Sequence, residues 1–96
     1  MKKSGNNWQI LFHPAVKKDV SKLDVSEKKR IKLALETRLS ISPDLYGIPL
    51  RGSLRRLWKL RVGDIRILFS IDLKLVKVVV IANRKDVYKL ATRRIY

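Results

Sequence analysis

Residues 57–71, which read LWKLRVGDIRILFSI, decide the fold of this chain. In the first half of the stretch the basic residues Lys59 and Arg61 alternate with apolar residues, and this period of two is typical of a half-buried strand. Gly63 and Asp64 then supply a tight turn. The apolar residues that follow the turn predict a second strand, so the whole stretch predicts a β-hairpin.

Two further apolar segments predict strands elsewhere in the chain. Residues 75–81 are nearly all β-branched, as expected of a strand in the interior of a sheet. Near the N-terminus, residues 8–12 form an aromatic and aliphatic run that predicts the first strand. Residues 42–56, which contain two prolines and two glycines, predict a long loop before the hairpin.

Two amphipathic helices are predicted between the first strand and this loop. Pro14 suits the start of a helix over residues 14–23, because proline at the first helical position loses no intrahelical hydrogen bond. In this helix Asp19 is expected on the solvent side, away from the apolar stripe. Asp24 and Glu27 have the spacing of a capping box, which predicts the start of a second helix that continues to the loop.

The predicted order of elements is therefore β-α-α-β-β-β, followed by a short C-terminal helix. This order predicts an α+β fold in which the helical hairpin packs on one face of a mostly antiparallel, twisted sheet. A length of 96 residues fits one domain over residues 1–96, with residues 1–7 as a flexible tail.

The charge balance indicates what kind of partner the chain binds. It carries 23 Lys and Arg against 8 Asp and Glu, a formal net charge of +15, while 46% of its residues are hydrophobic. A folded domain with this charge favours a polyanionic partner, either a nucleic acid or an acidic protein. A membrane surface is a weaker candidate because the sequence has no long apolar run.

The sequence lacks the residues of several common kinds of site. It has no cysteine, which excludes a disulfide, a thiol nucleophile and a thiolate metal site and fits a cytoplasmic protein. The single histidine, His13, precedes a proline and is expected to start a helix, so we expect no metal and no cofactor. No glycine-rich phosphate loop, pair of catalytic carboxylates or Ser-His-Asp set is visible.

Basic residues concentrate between positions 51 and 66, where the one acidic residue is Asp64. The basic residues of this segment are Arg51, Arg55, Arg56, Lys59, Arg61 and Arg66. Lys59 and Arg61 share a strand face, and Arg66 is expected to join them across the hairpin turn. Facing like charges destabilise a hairpin, so the cluster either binds phosphates as compensating anions or forms a solvated strand face.

The segment NRKDVY, residues 83–88, follows the most apolar strand. It brings Tyr88 into a basic environment, where nearby cations favour the phenolate and suit the side chain to proton transfer or to stacking on a base. The alternative is that the tyrosine ring anchors the C-terminal helix to the core. Asp86 is expected to cap that helix.

Cations together with a phenol suit the cleavage of RNA. When the 2′-hydroxyl attacks the adjacent phosphate, fixed lysines and arginines stabilise the charge of the phosphorane, and an acid protonates the leaving oxygen. The substrate itself supplies the nucleophile, so such a site needs no metal.

The sequence resembles the RelE/ParE superfamily of bacterial and archaeal toxins, and specifically its RelE branch. The resemblance extends from residue 8 to about residue 88. It rests on four segments in this order: 12–18 (FHPAVKK), 49–52 (PLRG), 57–67 (LWKLRVGDIRI) and 83–88 (NRKDVY). Members of the RelE branch are toxins of toxin–antitoxin pairs that enter the ribosomal A site and cut mRNA there without a metal. The resemblance implies the family fold and the activity of a ribosome-dependent mRNA endoribonuclease that inhibits translation. It also implies three partners, which are mRNA, the ribosome and an antitoxin that we expect to be acidic.

The resemblance also implies roles for individual residues. Lys59, Arg61 and Arg66 would stabilise the phosphate and the transition state. Arg84 would stabilise charge or protonate the leaving group, and Tyr88 would stack on a base or transfer a proton. Arg51, Arg55 and Arg56 would contact ribosomal RNA, and Lys85 would also bind RNA.

Two departures from the family pattern and two alternatives accompany this interpretation. Asn83 stands where many relatives have histidine, and Leu57 stands where some have a lysine. Both departures affect the assignment of the residue that transfers protons more than the assignment of the residues that bind RNA. The first alternative is the ParE branch, which shares the fold and poisons DNA gyrase. The second is a non-catalytic basic module that binds RNA or protein.

Overall fold

The computed structural model describes residues 8–95, and the predicted tail of residues 1–7 lies outside the described residues. The strands are β1 Gln9–Phe12, β2 Ile48–Pro49, β3 Trp58–Val62, β4 Ile65–Asp72 and β5 Leu75–Asn83. The helices are α1 Val16–Ser21, α2 Val25–Ala34, α3 Pro43–Tyr46 and α4 Val87–Ile95. The predicted β-α-α-β-β-β order with a C-terminal helix is confirmed, and the short elements α3 and β2 are inserted between α2 and β3.

The strands form one sheet in the order β1-β5-β4-β3-β2. All neighbouring pairs are antiparallel except β1 and β5, which run parallel, so the predicted mostly antiparallel sheet is confirmed. The register of β4 and β5 shifts from Leu68 opposite Val80 to Phe69 opposite Val78. This shift leaves Val79 as the extra residue of a β-bulge.

The segment 42–56 is more ordered than the predicted loop. Pro43 begins the short helix α3, where its missing N–H costs no hydrogen bond. Ile48 and Pro49 then form the edge strand β2 and pair with Lys59 and Trp58. Proline is tolerated there because an edge strand leaves one side of its backbone unpaired.

Helices α1 and α2 pack on one face of the sheet, as predicted. Val16 of α1 and Ile31 of α2 are buried against the sheet residues Ile67 and Phe69, as is Leu39 of the π-helical turn Leu35–Leu39 that continues α2. The predicted capping box is present at the start of α2. The Asp24 carboxylate accepts from the Glu27 N–H at 2.7 Å, and the Glu27 carboxylate accepts from the Asp24 N–H at 3.0 Å.

The C-terminal helix α4 packs on the opposite face of the sheet. Its residues Val87 and Ala91 lie one turn apart and are fully buried. They belong to a second cluster with Leu57, Leu68 and Val80 of the sheet. Both faces of the sheet are therefore partly covered, and the basic side chains of β3 lie on the face of α4.

Candidate nucleic-acid interface

The β3–β4 hairpin brings three of the predicted site residues onto one face. Arg61 and Arg66 are directly opposite each other in the register of the hairpin. Lys59 lies two residues before Arg61 and opposite Leu68, which is buried beneath α4. Since side chains two residues apart share a face, Lys59, Arg61 and Arg66 all point to the side of the sheet that carries α4.

Arg66 differs from its two neighbours because its side chain is buried. It is 6% exposed, whereas Lys59 is half-buried and Arg61 is exposed. Its Nη1 donates to the carbonyl oxygens of Gly63 at 2.8 Å and Ile65 at 3.1 Å. Arg66 therefore stabilises the hairpin turn and holds a fixed positive charge beneath the surface. The sequence predicted only that it joins Lys59 and Arg61 across the turn.

The backbone of Arg84 lies directly beside the same hairpin turn. Ala82 lies opposite Arg66 in the β4–β5 register, and the Arg84 N–H donates to the carbonyl of Asp64 at 2.9 Å. Arg84 and the following Lys85 are both exposed. The exposed cations Arg84 and Lys85 therefore follow β5 at the end of the sheet where Arg61 and Arg66 face each other.

Asn83 shapes the connection between β5 and α4. Its Oδ1 accepts from the N–H groups of Lys85 at 2.9 Å and Asp86 at 3.0 Å, and its Nδ2 donates to the Asp86 carboxylate at 3.0 Å. Asp86 lies directly before α4, and its carbonyl accepts from the Leu90 N–H at 3.1 Å. The Asn83 side chain is therefore committed to the turn.

Tyr88 lies in the first turn of α4, two residues beyond Asp86. It is half-buried and packs against the cluster of Leu57, Leu68 and Val80 that holds α4 to the sheet. The ring thus contributes to anchoring the helix and retains an accessible part on the same face as Lys59. Both interpretations of Tyr88 from the sequence are compatible with this position.

The remaining predicted RNA-binding residues do not join this group. Arg55 and Arg56 are separated from the start of β3 by Leu57 and are exposed beside Ser70 of β4. Ser70 lies four residues along β4 from Arg66, a separation of about 13 Å. The basic segment 51–66 is therefore divided between two ends of one sheet face. Arg51, also exposed, precedes a 3₁₀ turn over Gly52–Leu54.

The cations at the hairpin end lack acidic partners. Residues 8–95 contain one salt bridge, and it joins Arg94 to Asp19. Lys59, Arg61 and Arg84 therefore form no salt bridge within the described chain. A group of like charges at one end of a hairpin, beside a buried arginine, is an electrostatic arrangement that an anion stabilises.

The residue Asp19, expected on the solvent side of α1, is buried. It is 6% exposed and binds Arg94 of α4 through both carboxylate oxygens. The sequence pattern missed this pair because its two members lie 75 positions apart and α1 has six residues, too few for a clear helical stripe. An exposed basic residue, Lys18 or Arg93, directly precedes each of them in the chain.

No metal centre is formed by the described part of the chain. Residues 8–95 hold no group of three or more His, Asp or Glu side chains close enough to share an ion. His13 Nδ1 accepts a hydrogen bond from the Ala15 N–H at 3.0 Å, which agrees with the predicted role at the start of a helix. In the same range no helix has the length and apolar character needed to span a bilayer.

Comparison with known proteins assigns the family. Residues 10–88 match the model for the ParE toxin of type II toxin–antitoxin systems. This match covers most of the sequence, so the chain belongs to that family and is a type II toxin of the RelE/ParE superfamily. The predicted membership of the superfamily is confirmed. No curated protein matches the sequence significantly.

Solved structures of RelE toxins share the fold. The chain is similar to the Mycobacterium tuberculosis toxin–antitoxin complex RelBE2, with 24% identity and a TM-score of 0.77 over 88% of this chain and 100% of that one. It is also similar to a free-state mutant of the Escherichia coli toxin RelE, with 26% identity and a TM-score of 0.71 over 94% and 99% of the two chains. The RelB–RelE complex of Methanococcus jannaschii matches at 26% identity and a TM-score of 0.65 over 82% and 95%.

Proposed function

We propose that this toxin is a ribosome-dependent endoribonuclease that cuts mRNA in the ribosomal A site without a metal. The observation that carries the proposal is the group of cations Lys59, Arg61 and Arg84. Lys59 and Arg61 share a sheet face with the buried Arg66, Arg84 follows β5 beside the same hairpin turn, and none of the three forms a salt bridge in residues 8–95. The likeness to RelE structures, at up to 26% identity among those described above, supports the same activity class.

In the proposed reaction the RNA supplies its own nucleophile. The 2′-oxygen attacks the adjacent phosphorus and the bond to the 5′-oxygen breaks, which leaves a 2′,3′-cyclic phosphate and a 5′-hydroxyl end. Lys59 and Arg61 bind the phosphate and stabilise the phosphorane, and Arg66 adds a fixed charge that needs no reorganisation. Arg84 stabilises charge on the leaving oxygen or protonates it.

Proton transfer in this site falls to Tyr88. Asn83 occupies the position where an imidazole would stand, and its amide is engaged by the turn before α4. The proposed role of Tyr88 is to exchange the proton of the 2′-hydroxyl or to stack on the neighbouring base. The exposed Arg51 and Lys85 are proposed as contacts with the RNA backbone.

A second candidate function is poisoning of DNA gyrase. The match of residues 10–88 to the ParE family model favours it directly. The two functions differ in what they require of the basic face, which is the surface formed by Lys59, Arg61, Arg66 and Arg84. RNA cleavage requires groups on it that stabilise a phosphorane, whereas gyrase poisoning requires none.

Primer extension on a reporter mRNA in a cell-free translation reaction tests the proposal. We expect cuts within codons that appear only while ribosomes translate, and that Arg84→Ala abolishes. Arg93→Ala, which removes an exposed arginine of α4, is the matched control and should leave the cuts unchanged. Intact mRNA together with inhibition of gyrase supercoiling would establish the second candidate.

The proposed antitoxin partner is an acidic protein. An acidic segment laid over Lys59, Arg61 and Arg84 would supply the negative charge that the described chain does not provide, and would block access of RNA to the same surface. The RelBE2 structure and the Methanococcus jannaschii structure are both toxin–antitoxin complexes, which supports a partner of this kind. Tight binding that does not weaken with increasing salt would contradict the electrostatic part of this proposal.

A further inference from the structure

We propose that a cavity beside the C-terminal end of α4 binds one nucleotide of single-stranded RNA, with the base inside and the phosphate on Arg55 and Arg56. The inference rests on the proposed RNA-cleaving function and extends it with a second contact for the substrate. The cavity has a volume of about 460 Å³, within the range of about 300–1,000 Å³ usual for small-molecule sites. Its lining includes Arg55, Arg56, Leu57, Ser70, Val79 and Ile95.

The inner walls of the cavity are apolar. Leu57 is buried in the cluster beneath α4, and Val79 and Ile95 pack against the same cluster. Val79 is the extra residue of the β5 bulge, and bulges re-aim side chains at the rims of functional sites. A nucleobase presents two flat apolar faces, so walls formed by Leu57, Val79 and Ile95 suit it.

The rim of the cavity is cationic. The Arg56 side chain has no hydrogen-bond or salt-bridge partner within residues 8–95. Arg55 makes one long hydrogen bond, from Nη1 to the Gly52 carbonyl at 3.4 Å, which leaves its other donors available. Within residues 8–95 the cavity has no acidic residue in its lining. Two guanidinium groups at an apolar cavity match a base attached to a phosphate, because guanidinium binds phosphate in bidentate geometry.

A hydroxyl group adds a polar contact within the cavity. Ser70 of β4 lines it and is half-buried. A serine hydroxyl donates and accepts, so it can pair with the edge of any base. An acidic peptide would also be attracted by the arginines, but its apolar and its acidic groups lie on separate side chains. A nucleotide joins a flat apolar face to a phosphate in one compact group, and the arrangement therefore favours a nucleotide.

The location of the cavity links it to the proposed reaction site. Ser70 and Arg66 lie four residues apart on β4, about 13 Å along the strand. Lys59 lies between the two ends on the neighbouring strand β3, on the same face. A single strand of RNA whose reacting phosphate lies at Arg61 and Arg84 would therefore pass Lys59 and place a nearby nucleotide at the cavity.

Titration of the full chain with nucleoside monophosphates, followed by NMR, tests the inference. The probes are the 5′-monophosphates of adenosine, guanosine, cytidine and uridine, with inorganic phosphate as the comparison. We expect at least one nucleotide to shift the backbone amide signals of Leu57, Ser70 and Val79, and to bind more tightly than phosphate. Shifts confined to the amides near Arg61 and Arg84, or equal binding of phosphate and nucleotide, would overturn the inference.

Three variants make the test specific. Arg56→Gln should weaken nucleotide binding about tenfold, because it removes a charge-assisted hydrogen bond to the phosphate. Arg93→Gln removes the same charge from an exposed position outside the cavity and should leave binding unchanged. Ser70→Leu should block the base by filling the cavity without a change in charge. Equal effects of Arg56→Gln and Arg93→Gln would show attraction by net charge alone and would refute the nucleotide site.

The inference and the proposed function fail in different ways. If mRNA is cut on the ribosome while no nucleotide perturbs the cavity, the cavity proposal is wrong and the endoribonuclease stands. If nucleotides bind at Leu57, Ser70 and Val79 while mRNA stays intact under translation, the endoribonuclease is wrong and the cavity remains a nucleotide site.

Discussion

Arg94 of α4 and Asp19 of α1 form a bidentate salt bridge around the edge of strand β5, with N–O distances of 2.6 and 2.7 Å. Asp19 Oδ2 also accepts from the Ile81 N–H at 3.0 Å, and Arg94 Nη1 also donates to the Val79 carbonyl at 2.9 Å. The pairing of β1 with β5 extends only as far as Val78. The ion pair therefore satisfies the strand edge that β1 leaves open and joins the two helical layers.

Loss of this ion pair is predicted to destabilise the fold strongly. Asp19→Ala leaves the Arg94 guanidinium, 13% exposed, without its carboxylate, and breaking a buried pair in this way costs about 3–5 kcal/mol. Urea unfolding followed by circular dichroism measures the change. Asp44→Ala, at an exposed aspartate of α3, is the control and should change the free energy of unfolding by less than about 0.5 kcal/mol. Similar small changes for both variants would contradict the structural role of the pair.

The arginine of the pair is predicted to stay charged at every pH at which the protein is folded. The hydrogen bond with Asp19 raises the pKa of Arg94 above its usual value, against the opposing effect of burial. A raised pKa in the folded state gives stability that is fully present below the unfolded-state pKa and is lost only above it. We therefore expect no loss of the Arg94 contribution between pH 7 and about pH 10, measured as the difference in unfolding free energy between wild type and Arg94→Met. A decrease in this contribution between pH 7 and about pH 10 would contradict a raised pKa of Arg94 in the folded protein.

Arg66 and Arg61 are predicted to respond differently to the same substitution. Arg66→Met leaves the carbonyls of Gly63 and Ile65 without their side-chain donor and should cost about 1–3 kcal/mol of unfolding free energy. Arg61→Met, on the exposed partner directly opposite, should cost less than about 0.5 kcal/mol. Thermal unfolding of the two variants provides the comparison. If the Arg66→Met and Arg61→Met variants had equal free energies of unfolding, the stability of the turn would not depend on the Arg66 side chain.

The salt dependence of RNA binding is predicted to report which cations contact phosphate. Each phosphate contact that is lost should reduce the slope of log K against log salt concentration by about 0.7 for single strands. Lys59→Gln and Arg61→Gln should each show this reduction with a short, uncleavable DNA analogue in a fluorescence anisotropy titration. Arg93→Gln carries the same change in net charge at a distant position, and an equal slope change for it would refute a defined binding face.

The fold could be predicted from the sequence to the extent that local patterns decide it. The period of two in residues 57–62, the turn at Gly63 and the capping box of Asp24 and Glu27 are local signals, and each corresponds to the structure. The strand β2 could not be predicted, because two residues that include a proline carry no strand signal and form a strand only by pairing with β3.

The candidate site could be predicted in part, for a similar reason. The alternation of Lys59 and Arg61 predicts their shared face correctly. The burial of Arg66 depends on hydrogen bonds with its own turn, which no pattern of charges reveals. The separation of Arg55 and Arg56 from Arg84 depends on which end of β4 each faces, and this follows from the register of the sheet and not from distance in the sequence.

The central claim is that the substrate supplies the nucleophile for cleavage on the basic face. The most direct test is a single 2′-deoxy substitution at the mapped cut position of an mRNA bound to translating ribosomes. We predict that this substitution blocks cleavage at that position, and that the unmodified mRNA gives a 2′,3′-cyclic phosphate and a 5′-hydroxyl end. Cleavage of the deoxy-substituted mRNA at an undiminished rate would show that water is the nucleophile and would contradict the account.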